Sequence, residues 1–157
     1  ILADLDNIPL TYPAVNSAWL KSIGNHLLTI NATDEAGNIS TATKSIHIKY
    51  NFNGFTSPLP NTTITLNQKL KIQFVVKYGG VTPVPVLHPG ITIKRLSDNY
   101  ILNLACNATL SCFKQTTNNK YTFTKTTLVN GLGIGVWEIK VILDDGEEYI
   151  TSVEVTP

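Results

Sequence analysis

The sequence predicts an all-β fold of antiparallel strands, and three observations carry that expectation. Apolar residues recur at every second position through several stretches, no stretch shows an apolar stripe at helical spacing between caps, and Asp- and Gly-bearing turns separate the alternating runs. The composition agrees. Of 157 residues, 20 are Thr and 15 are Asn, while charged residues reach 15% against the roughly one quarter usual in globular domains. Thr suits the exposed face of a strand, and Asn suits its turns.

The alternation is cleanest in Leu70, Ile72, Phe74 and Val76, set against Lys69, Lys71, Gln73, Val75 and Lys77. That spacing predicts a half-buried strand. Leu28, Ile30 and Ala32, then Tyr121 and Phe123, then Trp137, Ile139, Val141 and Leu143 read the same way. Ala14 to Ile23 has room for one turn of helix. Asp34-Glu35-Ala36-Gly37-Asn38 predicts a hairpin in which Gly37 takes positive φ. Asp144-Asp145-Gly146-Glu147 predicts a second, joining a strand over Ile134 to Leu143 to one over Tyr149 to Val155. Gly79-Gly80 and the cluster Pro83, Pro85, Pro89, Gly90 predict an edge or a loop, because proline cannot donate to a central ladder.

Two modules are expected, residues 1–50 and 51–157. Tyr50-Asn51-Phe52-Asn53-Gly54-Phe55 carries three aromatics through a Gly-bearing turn, which suits a packed junction better than a flexible linker. The second module supplies about seven strand candidates, enough for a β-sandwich. The first supplies about four, so its remaining strands were either cut away or come from another chain. The absence of Met points to a mature product or an excised piece.

Charge and hydropathy exclude whole classes. A net charge of +1 with no basic block lacks the footprint of a nucleic-acid binder. No apolar run approaches the roughly 18 residues of a membrane-spanning helix.

The stretch Gly24-Asn25-His26-Leu27-Leu28-Thr29-Ile30-Asn31-Ala32-Thr33-Asp34-Glu35-Ala36-Gly37-Asn38 resembles the closing hairpin of bacterial and archaeal Ig-like surface repeats. Tyr50 to Phe55, Leu66-Asn67, Phe74 and Trp137 to Gly146 resemble the PxKF-type module that trails such repeats, with Lys71-Ile72-Gln73-Phe74 standing where Pro-x-Lys-Phe would be. The resemblance implies Ig-like β-sandwiches, one partial and one complete. It also implies an extracellular or cell-surface location and no catalytic activity.

Cys106 and Cys112, with five residues between them, fit a disulfide in such a compartment; two buried thiols or half of a zinc site are the alternatives, and no further ligand pair at zinc spacing is present. Catalytic candidates are absent: His26 and His47 fall on opposite faces by strand parity, His88 sits among prolines, and no nucleophile elbow, phosphate loop or zinc-protease motif occurs. No cofactor is expected. Asp34 and Glu35, with Asp4 and Asp6, and Asp144 and Asp145, with Glu147 and Glu148, are weak calcium candidates, since turns favour Asp for backbone reasons alone. Asn31, Asn38, Asn61 and Asn107 begin sequons. Tyr12, Trp19 and Trp137 could form a sugar-stacking platform, against a core role for Trp137.

The functional expectation is a non-catalytic spacer, wall or filament element, partnered by neighbouring domains or subunits and open to completion by a neighbour's strand at an exposed sheet edge. The alternative is a carbohydrate-binding accessory module of an extracellular hydrolase, with glycans as partners.

Overall fold

The computed structural model describes residues 2–5, 8–10, 23–77, 87–104, 112–116, 120–126 and 132–157. Every regular element among them is a β-strand. The chain divides into two compact units, Ile1–Lys49 and Tyr50–Pro157.

The first unit is one antiparallel sheet. Its strands β1 (Leu2–Leu5), β2 (Ile8–Leu10), β3 (Gly24–Thr33) and β4 (Ile39–Ile48) lie in the order β2-β1-β3-β4. Pairing of His26 with Ile46, Leu28 with Lys44 and Ile30 with Ala42 puts Leu28 and Ile30 of β3 on one face with His26, while Leu27 is exposed on the other. Thr29 opposite Thr43 and Asn31 opposite Thr41 make the other face hydroxyl- and amide-rich. The hairpin closes as the sequence predicts. Asp34 N–H donates to the Asn38 carbonyl at 3.0 Å, Gly37 N–H donates to the Asp34 carbonyl at 3.1 Å, and Gly37 has φ 87°. Residues 14–22 of the expected helical turn lie outside the described residues, and Ile23 is not helical.

The second unit is an Ig-like β-sandwich. One sheet runs β5 (Asn51–Ser57), β7 (Lys69–Lys77), β10 (Lys120–Thr126), β9 (Lys114–Thr116); the other runs β6 (Thr62–Thr65), β12 (Glu148–Thr156), β11 (Gly135–Ile142), β8 (Gly90–Arg95). Each sheet gives its apolar parity to the core. Leu70, Ile72, Phe74 and Val76 of β7, and Trp137, Ile139 and Val141 of β11, are all buried, as are Ile93, Val153 and Val155. Burying each such side chain contributes about 1.5–3 kcal/mol. Between β11 and β12, Leu143 N–H donates to the Glu147 carbonyl and Gly146 N–H, at φ 83°, donates to the Leu143 carbonyl. This repeats the turn of the first unit bond for bond.

Two expectations need correction. Tyr50 to Phe55 is not a turn: Asn51 onward is strand β5, bent by bulges between Phe52 and Ser57 and by Gly54 at φ 86°. The bulge inserts an extra residue, so Phe52 and Phe55, three apart in sequence, both reach Phe74, with ring centroids 5.5 and 6.2 Å away. Phe52 also stacks on Tyr149 at 3.8 Å. Pairing is not wholly antiparallel either, because β6 lies parallel to β12, Thr62 opposite Val153 through Thr65 opposite Thr156. Within the proline cluster, Pro83 and Pro85 lie outside the described residues, whereas Gly90 opens β8, an edge strand of its sheet.

Candidate functional site

The aspartates at the two hairpins are engaged by backbone N–H groups, Asp34 within its own turn and Asp144 and Asp145 by residues far away in the chain as well. Asp34 Oδ1 accepts the Asn38 N–H and Asp34 Oδ2 accepts the Asn38 side-chain amide, both at 2.8 Å. These bonds hold its carboxyl below the usual carboxylate range, the side-chain amide of Asn38 contributing most. In the second unit, Asp145 Oδ2 accepts the Tyr50 N–H at 2.8 Å while its Oδ1 accepts the Glu147 N–H at 3.1 Å. Asp144 accepts the His88 N–H at 3.2 Å on both oxygens, and Glu148 pairs with Lys140 at 3.1 Å. Glu35 is exposed in its turn. Among the described residues no three His, Cys, Asp or Glu side chains gather to hold a metal ion, and Asp6 lies outside those residues.

The histidines are dispersed. His26 is buried on the apolar face of β3 and His47 lies on the other face, within 2.8 Å of Asn25 Oδ1 through its Nδ1. His88 is exposed. Asn31 is half-buried, its Oδ1 accepting the Thr41 hydroxyl at 2.7 Å; Asn38 is exposed but tied to Asp34; Asn61 is exposed at φ 62°. Asn107 and Cys106 lie outside the described residues, and no described cysteine is a free thiol.

Trp137 belongs to the core and has 1% of its surface exposed, so it cannot serve a sugar-stacking platform. Its indole N–H donates to the Gly133 carbonyl at 2.8 Å, and the Arg95 guanidinium lies 5.4 Å from its ring centroid. Arg95 also lies 5.7 Å from the Tyr100 ring and is bound in fork geometry by Asp98, at 3.0 and 2.7 Å. The ion pair raises the guanidinium and lowers the carboxyl. Sequence reading missed this cluster. Its one local signal is the Arg95-x-x-Asp98 spacing, since the contact with Trp137 forms across strands. Tyr12 and Trp19 lie outside the described residues.

Two backbone features stand out where side-chain chemistry does not. The first is the parallel pair of β6 and β12, reinforced by Leu66 N–H donating to the Thr156 carbonyl at 2.8 Å. Leu66 is the second residue of a turn closed by Gln68 N–H to the Thr65 carbonyl, with Asn67 at φ 77°, which makes it type II. The second is the open edge of β4, exposed from Ile39 to Ser45.

These features define an Ig-like architecture without a reactive centre among the described residues. No family model matches the sequence, and none of the curated proteins does. Among solved structures, the chain is similar to domains 4 and 5 of the S-layer protein SbsC, at 11% identity and TM-score 0.41, over 99% of this chain and 75% of that one. It is similar to the titin I-band fragment I67–I69 at 8% identity and TM-score 0.39, over 99% and 53%. The titin tandem A164–A165 follows at 15% identity and TM-score 0.37, over 83% and 61%. The fold itself is defined by the strand order and register above.

Proposed function

We propose that the chain is a non-catalytic structural module of a secreted or cell-surface assembly, built to carry tension along its length. The parallel pairing of β6 with β12 carries the proposal. The second unit begins at Tyr50, and β12 is its last strand. Once β5, the strand before β6, has come away from β7, a pull between the unit's ends draws β6 and β12 past each other along their axes and loads their hydrogen bonds together. In an antiparallel terminal hairpin the same bonds would open one at a time. The resemblance of Gly24 to Asn38 to surface repeats and the low charge support the surface setting. A Cys106–Cys112 disulfide and glycans at exposed sequons such as Asn61 belong to the same reading.

Leu66→Pro tests it by single-molecule force spectroscopy. Proline suits the second position of a type II turn and gains about 0.4–1 kcal/mol from the unfolded chain, while the lost N–H bond to Thr156 costs about 0.5–1.5 kcal/mol. Equilibrium stability is expected to stay within about 1 kcal/mol of the parent. The unfolding force of the second unit should nevertheless fall. An unchanged force would remove the mechanical reading.

A further inference from the structure

We propose that two copies of this chain pair through the edge of β4, antiparallel and centred on Thr43, to join their first-unit sheets into one. The inference deepens the structural-module reading and rests on it.

Every other sheet edge among the described residues is short, bent or covered. Strand β2 has three residues and contains Pro9; β9 has three; β6 has four; β5 is bulged. The edge of β8 is covered by the returning chain, where Arg95 N–H donates to the Tyr100 carbonyl and Leu102 N–H to the Ile93 carbonyl. Strand β4 has ten residues with no register shift against β3, and Ile39 to Ser45 are all exposed. A long regular edge is a template for another strand.

The register follows from the hairpin. Asp34 and Asn38 form the closing hydrogen-bonded pair, so in an antiparallel ladder Ser40, Ala42 and Lys44 point their backbone groups at β3. Thr41, Thr43 and Ser45 then point theirs at the open edge. A two-fold pairing on Thr43 sets Thr43 opposite Thr43 and Thr41 opposite Ser45 twice, the hydroxyl pairs that stabilise antiparallel ladders. It sets Lys44 opposite Ala42 of the other copy. Shifting the centre to Lys44 would set Lys44 against Lys44 in a close pair, which is unfavourable, and shifting it to Ala42 would leave two hydroxyl pairs, Thr41 opposite Thr43 twice, in place of three. Lys44, the one Lys, Arg, Asp or Glu between Ile39 and Ile48, thereby excludes the register on its side, and the number of hydroxyl pairs favours Thr43 over Ala42. The contact is isologous and closes at two copies, because the opposite edge, β2, offers only Ile8–Leu10 with its proline.

Sedimentation of the whole chain tests this. At concentrations up to roughly 1 mM the parent should show a dimer, twice 17.2 kDa. Thr43→Pro removes an N–H that faces the edge and should leave a monomer with the parent's circular dichroism. Ala42→Glu places an acid opposite Lys44 of the other copy and should tighten the dimer about three- to tenfold, less at high salt. A monomeric parent, or a dimer that survives Thr43→Pro, would overturn the pairing; no tightening by Ala42→Glu would overturn the register. A monomer whose second unit still weakens under force with Leu66→Pro would sink this inference and leave the tension-carrying reading standing.

Discussion

Asp145 is the side chain whose replacement most directly tests how the second unit secures its first residues. Its two oxygens serve two donors far apart in sequence, Tyr50 N–H at 2.8 Å and Glu147 N–H at 3.1 Å. Tyr50 is 7% exposed, so its N–H has little water to turn to. In Asp145→Ala that donor is left unsatisfied at about 1–3 kcal/mol, and the loss of the turn bond to Glu147 adds about 0.5–1.5 kcal/mol. The expected total is about 2–4 kcal/mol. An asparagine has one acceptor oxygen. In Asp145→Asn it is expected to turn toward Tyr50 and leave Glu147 to solvent, at a cost of about 1–2 kcal/mol. For a unit of about 100 residues each kcal/mol lowers the melting temperature by about 4 °C, so the alanine variant should fall by about 8–16 °C and the asparagine variant by about 4–8 °C. The assay is thermal unfolding followed by Trp137 fluorescence in a Trp19→Phe background, which confines the signal to the second unit. Equal losses in the two variants would refute the assignment of one oxygen to each donor. No loss in either would refute the anchoring role.

Two further outcomes follow from side chains of the same unit. Burial raises the phenols of Tyr121 and Tyr149, the latter also through the nearby negative charges of Asp145 and Glu147. The unfolded chain therefore releases these protons first, so stability should fall as pH rises past about 10, the ordinary tyrosine value. Tyr149→Phe, which keeps the stack on Phe52, should flatten that alkaline limb in a urea-denaturation series; an identical limb would exclude Tyr149 as a contributor. The Cys106–Cys112 pairing predicts that alkylation of the unfolded chain adds mass at neither cysteine before reduction and at both after it, and that reduction lowers stability by about 2 kcal/mol.

How much of this was legible in the sequence depends on the range of the interaction that fixes each element. In β7 and β11 the backbone period is two and one face is wholly buried, so Leu70 to Val76 and Trp137 to Val141 announce their burial residue by residue. Both hairpins were legible because a three-residue loop closing on a bulge needs positive φ at one position, and Gly37 and Gly146 stand there. Strand β5 escaped because its bulge breaks the parity that marks a strand: Phe52 and Phe55 share a face only once an extra residue is inserted between them. Among the described residues the first unit has four strands, about the number its sequence suggests. Which edge is long enough to template a partner required the order β2-β1-β3-β4, set by pairings between residues far apart in the chain.

The same distinction explains why the acidic turns drew a calcium reading. An aspartate at a hairpin can bind a metal or cap backbone N–H groups, and composition alone cannot separate the two uses. What separates them is where the donors lie. Asn38 is four residues from Asp34, close enough for local sequence to suggest the cap. Tyr50 is 95 residues from Asp145, and His88 is 56 from Asp144, so those carboxylates find their donors only in the assembled sandwich. The parallel pairing of β6 with β12 has the same character, with Thr62 meeting Val153 across most of the unit's length. The features that carry the proposed function are thus backbone pairings of high sequence separation. For a chain whose proposed work is to hold strands together under tension, the informative residues are those whose N–H groups bridge such strands, Leu66 to Thr156 within the unit and Thr43 across two copies, and a single proline tests each.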